Sequence, residues 1–253
     1  MNRLFSILTS SHNYGRYLKG WAKSILRQNY RPLEVVFVND YSDDDTYERL
    51  KIIREQFASA GIAFKEINNP VRVHYGACCK IADENASGHY FGHLDSDDQL
   101  IEGAVESVVN VYEKFINVAY IYTQFNICDI NMKYKKIGFS QAPPTGECLA
   151  TLARTKEHGL SHWRTYSKRV PDRSKLWRPD LRCAVDKYFA YRLEEQCQGL
   201  FYNKVCYNYR WGDKQAISKT ERPMDYWKLV VDDTFRIREM AGIKPIPIIT
   251  YKD

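Results

Sequence analysis

Apolar runs and amphipathic stretches alternate along the first part of this chain. Leu4 to Thr9 reads as a strand, followed by the polar turn Ser10-Ser11-His12-Asn13-Tyr14-Gly15. From about Tyr17 to Gln28, residues Leu18, Trp21, Ala22, Ile25 and Leu26 recur on one helical face. Leu33 to Val38 is a second strand ending at Asn39-Asp40, and Asp43 to Asp45 read as capping and dipole-complementing charges for a helix reaching about Ala60. A strand from Ala63 to Ile67, a helix from about Gly76 to Ala86 and the run Tyr90-Phe91-Gly92 complete a βαβαβαβ order. Short connections with helical crossovers predict a mostly parallel sheet flanked by helices on both faces.

Further on, the pattern predicts a helix from Glu102 to Phe115, a strand from Ala119 to Phe125 and a hairpin-like stretch across Asp129-Ile130-Asn131-Met132. Pro143-Pro144-Thr145-Gly146 breaks the alternation. A helix from about Ala184 to Gln198, a strand-like run from Leu200 to Tyr209 and a last helix from Met224 to about Met240 follow.

The chemistry gathers at His93-Leu94-Asp95-Ser96-Asp97-Asp98, which places three carboxylates directly after the buried run at 90–92. In an open α/β sheet that position is the ligand-binding rim, shared with Asp40 at the end of the second strand. Three adjacent acids repel one another, and Mg²⁺ or Mn²⁺ would neutralise them through oxygen ligands. In isolation, an acid-rich loop capping the next helix has the same appearance. A calcium loop does not fit, because Gln99 and Leu100 fill its fifth position and its turn position. Neither a G-x-G-x-x-G fingerprint nor a Walker loop is present.

Composition narrows the class. With 253 residues, 44% hydrophobic and 27% charged, the chain can bury a sizeable core. No stretch approaches a membrane span and no signal-peptide profile is seen, so a cytoplasmic protein is expected, with peripheral membrane contact left open. Seven cysteines without a C-x-x-C pair imply buried thiols rather than disulfides or zinc. The net charge of +6 is concentrated between Thr151 and Arg182, where nine basic residues face three acidic ones.

The motifs, taken in order, resemble those of the family 2 glycosyltransferases. Ser6-Ile7-Leu8-Thr9-Ser10-Ser11-His12-Asn13-Tyr14 is similar to the family's first strand and loop. Val38-Asn39-Asp40-Tyr41-Ser42-Asp43-Asp44-Asp45-Thr46 resembles V-D-D-G-S-x-D-x-T, with Asn39 in place of the first Asp and Tyr41 in place of Gly. Leu94-Asp95-Ser96-Asp97-Asp98 matches L-D-S-D-D, Val185-Asp186 resembles the E-D motif, and Tyr207-Asn208-Tyr209-Arg210-Trp211 with Ile217-Ser218 resembles Y-x-Y-R…I-S.

The resemblance implies a GT-A fold: a Rossmann-like donor half over 1–140, an acceptor half over 141–222 and a C-terminal helical extension over 223–253. It implies an inverting, metal-assisted transfer from a nucleoside-diphosphate sugar, with a lean to UDP. On it, Asp97 is the direct ligand of Mn²⁺ or Mg²⁺ and Asp98 assists. Asp95 and Ser96 lie near the ribose, Asp40 accepts from the base ring, and Thr9 and Ser11 line the nucleoside pocket. Arg210 and Ser218 hold the diphosphate from a closing loop, and Asp186 takes the proton of the acceptor hydroxyl. The basic run adds an expected anionic acceptor — a lipid-phosphate carrier, an acidic glycan or nucleic acid — held by His162, Trp163, Arg164, Lys168 and Arg169. A polyanion-binding module on the same scaffold and a nucleotidyltransferase are the competing readings.

Overall fold

The computed structural model describes residues 2–154, 159–213 and 223–253. The first half runs β1 (Phe5–Ser11), α1 (Leu18–Leu26), β2 (Leu33–Asn39), α2 (Thr46–Ser59), β3 (Ala63–Asn68), α3 (His74–Glu84) and β4 (Tyr90–His93). Short β5 (Gln99–Leu100), α4 (Ala104–Lys114), the long β6 (Val118–Cys128) and β7 (Tyr134–Ile137) follow. Then come α5 (Leu149–Arg154), β8 (Arg164–Ser167), α6 (Val185–Glu194), β9 (Gln198–Arg210), α7 (Pro223–Ala241) and β10 (Ile249–Tyr251).

The strands join in one sheet of order β10-β9-β6-β8-β4-β1-β2-β3, with β5 on β9 and β7 on β6. Pairs β1–β2, β1–β4, β2–β3, β6–β9 and β9–β10 are parallel, as the alternation of elements requires. Along β1 and β2 successive side chains enter opposite cores. Phe5, Ile7, Val35 and Phe37 meet Trp21 of α1 and Phe57 of α2, while Leu8, Val36 and Val38 meet Cys78 and Cys79 of α3. Sandwiched this way, both strands are buried on both faces, which explains their near-continuous apolar sequence.

The strand β8 departs from the sequence expectation. β8 lies between β4 and β6 and is antiparallel to both, so the sheet is mixed. The segment expected to be basic acceptor surface thus supplies an interior strand, its four residues all buried. Residues 223–253 pack back onto the sheet: α7 places Val230 and Val231 in the second core, and β10 pairs with β9. The buried Arg238 guanidinium fixes α7 by donating to Glu194 at 2.5 Å and Glu195 at 2.8 Å. All seven cysteines are buried, and none is joined in a disulfide. Among the described residues no helix is long and apolar enough to cross a membrane.

Candidate active site

A cleft of about 470 Å³ opens at the C-terminal ends of β1, β2 and β4. One wall is built from Ser10, Ser11, His12, Asp40 and Asp95 to Asp98. The facing wall comes from Ser161, His162 and Arg164, the start of α6 from Arg182 to Lys187, and Tyr209 and Trp211.

The acid loop is held from both sides. Leu94 N–H donates to the Leu8 carbonyl, continuing the β1–β4 ladder, and the Thr9 hydroxyl donates to the Leu94 carbonyl at 2.7 Å. Past the turn, β9 takes over: Tyr207 Oη donates to Asp98 Oδ2 at 2.8 Å and Arg210 N–H to Asp98 Oδ1 at 2.6 Å. Arg210 Nε donates to the Asp97 carbonyl at 2.7 Å. Asp95 accepts from Tyr75 Oη at 2.8 Å and from Arg164 at 3.2 Å.

Close-packed carboxylates with few cations among them resist ionisation. Burial, and then the neighbouring Asp95, push Asp97 up to about 7. Burial, followed by Asp97 and Asp95, holds Asp98 well above the usual carboxylate range. His162 moves the other way. Its ring stacks between Tyr207 and Tyr209, with centroids 4.7 and 4.8 Å away, and its Nδ1 is buried without a hydrogen-bond partner. Burial, with Arg164 and Lys187 nearby, lowers its pKa well below 6.5, so the imidazole is neutral.

Donor atoms of Asp95, Asp98 and His162 lie within 4.8 Å of one another. Two carboxylates and a neutral imidazole form a chemically suitable set for a divalent first-row cation. Of the two expected metal ligands, Asp98 is within that convergent set, while Asp97 lines the same cleft outside it.

Across the cleft, Asp186 stands in the first turn of α6, after Ala184 at φ 57°. Arg164, 5% exposed, reaches both acids: 3.2 Å to Asp95 and 3.7 Å to Asp186. The charge counted as acceptor surface is therefore a buried tie between the two walls.

Several expected site residues serve elsewhere. Thr9 is 1% exposed; its hydroxyl bonds Leu94 and Trp21, while Ser11 faces the cleft. Asp40 lines the cleft, yet its carboxylate accepts from the N–H groups of Val73 and His74 and from Asn69, fixing the start of α3. Ser96 is buried at the cleft wall. Arg210 braces the acid loop from behind, its guanidinium 4.2 Å from the Tyr17 ring centroid, instead of closing over the cleft. Trp163 is fully buried against Phe5.

Lys168 and Arg169 are at the wrong end of the sheet. Because β8 runs antiparallel to β4, Arg164 pairs with His93 at the acid end and Ser167 with Tyr90 at the opposite end. Arg169 there donates to the Tyr112 and Val118 carbonyls. Ser218 lies outside the described residues. Among the described residues, Arg72, Arg182 and Lys187 line the cleft besides Arg164. Charge counting missed Arg72 and did not single out Lys187; their positions next to the α3 start and beside Asp186 are the signals that could have found them.

A mixed central sheet flanked by helices, with acids at its carboxyl rim, matches the GT-A glycosyltransferase fold. Residues 6–192 match the model of glycosyl transferase family 2, and the chain belongs to that family. It is 28% identical over 244 residues to Escherichia coli chondroitin synthase, covering 95% of this chain and 33% of that protein. The chain thus spans about a third of that relative's length. Its fold is similar to S. aureus TarS 1-349 in complex with UDP-GlcNAc, with a TM-score of 0.69 and 16% identity over 91% of this chain and 66% of TarS. The mannosyltransferase PcManGT from Pyrobaculum calidifontis, in complex with GDP-Man and Mn²⁺, superposes with a TM-score of 0.63 and 13% identity over 98% of this chain and 66% of that one.

Proposed function

We propose that this chain transfers a sugar from a nucleoside-diphosphate sugar, UDP-linked as in the TarS complex, to an acceptor hydroxyl with inversion. The observation that carries the reading is the cleft itself, which brings together a cation-suited acid cluster and a cleft-lining carboxylate, Asp186, both tied to Arg164.

Asp95, Asp98 and His162 would hold Mn²⁺ or Mg²⁺, with Asp97 beside them. Held there, such an ion would offer Lewis-acid neutralisation of the departing diphosphate. Ser11, Asp40 and the start of α3 shape the nucleoside end. Asp186 accepts the proton of the attacking hydroxyl, whose own pKa is far above neutrality. Attack from its wall, opposite the diphosphate, inverts the anomeric centre. Arg164 ties Asp95 and Asp186 to one guanidinium.

An anionic acceptor would meet cations other than those of the basic run's far end. Among the described residues, Arg72, Arg182 and Lys187 line the cleft with no acid within 4.0 Å, so an acceptor phosphate or carboxylate would find cations there.

Incubation with UDP-sugars and Mn²⁺ tests the activity. Slow release of UDP, accelerated by acceptor, is expected. Pyrophosphate release from a nucleoside triphosphate would identify a nucleotidyltransferase instead, and no release from either would leave a binding module.

A further inference from the structure

The hairpin joining β6 to β7 carries a surface that sugar transfer does not use. Ile130, Tyr134 and Ile137 are 40%, 54% and 50% exposed. Lys133, Lys135 and Lys136 are interleaved with them and also exposed. Lys135 pairs with Asp129 at 3.1 Å, which leaves Lys133 and Lys136 uncompensated among the described residues.

β7 is an outer strand whose ladder runs only to β6. Lysines on an edge strand are ordinarily explained as guards against edge-to-edge pairing. Three large apolar side chains beside them defeat that purpose, and soluble surfaces keep such groups dispersed. Exposed Lys, Tyr and Ile side chains on one hairpin match the boundary of an anionic bilayer. There, ammonium groups meet lipid phosphates, the Tyr ring sits at headgroup level and the Ile side chains reach the acyl region.

The hairpin is also joined to the site. The Arg210 guanidinium donates to the Ile130 carbonyl as well as to that of Asp97, so one side chain braces both the hairpin and the acid loop. From β7 the chain continues to Phe139, which with Trp211 lines the cleft.

We propose that the 129–137 hairpin is a docking element for an anionic lipid bilayer, seating the cleft mouth at the headgroup layer. Sedimentation of the full chain with vesicles tests this without donor or acceptor, so it stands or falls separately from the transfer reaction. Binding is expected to vesicles of phosphatidylcholine mixed with phosphatidylglycerol and not to phosphatidylcholine alone, and it should weaken with salt. Lys133→Gln with Lys136→Gln should lower partitioning roughly 10- to 30-fold. Ile130→Ser with Ile137→Ser should remove the binding that persists at high salt. Both double variants should keep the parent's circular dichroism, thermal midpoint and donor hydrolysis. Equal partitioning by parent and variants, or no binding by the parent, overturns the proposal. If the substitutions instead dissociate an oligomer, or abolish binding to a soluble acidic glycan in a parent that ignores vesicles, the surface serves that partner and the lipid assignment is wrong.

Discussion

Removing divalent cations should make this protein less stable as pH rises, with Asp97 setting the slope. Asp97 ordinarily ionises near 3.8 but in the fold is pushed up to about 7, by burial and by Asp95. Below pH 4 both folded and unfolded chains are protonated there and nothing changes. Between pH 4 and 7 the unfolded chain gives up the proton while the folded one keeps it. The folded state then binds more protons, and stability falls as pH rises. Above pH 7 the full penalty applies, at most about 4 kcal/mol. Asp98, shifted the same way by burial and the same neighbours, acts in the same direction.

For a chain of 253 residues this corresponds to a fall in thermal midpoint of roughly 10 °C or less. The assay is thermal unfolding from pH 5 to 8 in chelator and in Mn²⁺. The cation should stabilise more at pH 8 than at pH 5, where protons compete for the same oxygens. Asp97→Asn should flatten the slope in chelator and raise the midpoint at pH 8. A chelated parent whose midpoint is flat or climbs between pH 5 and 8, or an Asp97→Asn variant less stable than the parent at pH 8, would refute the account.

Asp186→Asn should retain UDP-sugar binding, measured calorimetrically, while transfer falls about 10²- to 10⁴-fold; near-parental transfer would reduce Asp186 to a helix-end acid. Trp163→Ala should cost about 3–5 kcal/mol in denaturant unfolding, as a core tryptophan does, without a selective rise in acceptor KM. Lys168→Gln with Arg169→Gln should leave acceptor KM unchanged, because both lie at the far end of β8. Tyr41 holds φ 58° at a turn position the family fills with Gly, so Tyr41→Gly should raise stability by about 1 kcal/mol.

The first half of the fold was legible because each of its strands carries its own signal. β1 and β2 are buried on both faces and read as apolar runs, and α1 shows its core stripe through Leu18, Trp21, Ala22 and Ile25. β8 had no such signal. Its sequence, Arg164-Thr165-Tyr166-Ser167, looks like polar surface, and only tertiary structure buries it. Tyr112 bonds Thr165, the Tyr166 hydroxyl meets Asp83, and Arg164 finds two carboxylates. A strand whose polar groups are satisfied by distant residues gives no periodicity to read.

The same strand explains why the counted basic residues do not form one patch. Counting treats Arg164, Lys168 and Arg169 as one patch, yet a strand advances about 3.3 Å per residue, so neighbours in sequence diverge quickly. Between Arg164 and Arg169 the chain travels from the carboxyl rim of β4 to its opposite end. Arg173 and Arg178 are then taken up by Asp83 and by Asp180 with Asp233. What distinguishes a functional cation here is the absence of a protein carboxylate beside it, together with a place in the cleft. Arg182 meets both conditions among the described residues, and it lies four residues before Asp186. An acceptor anion bound there would bring its hydroxyl to the base, so neutralising Arg182 should raise acceptor KM while leaving UDP release in water unchanged. If Arg182→Gln instead slows acceptor-free UDP release, the guanidinium serves the donor, and the anionic acceptor loses its support.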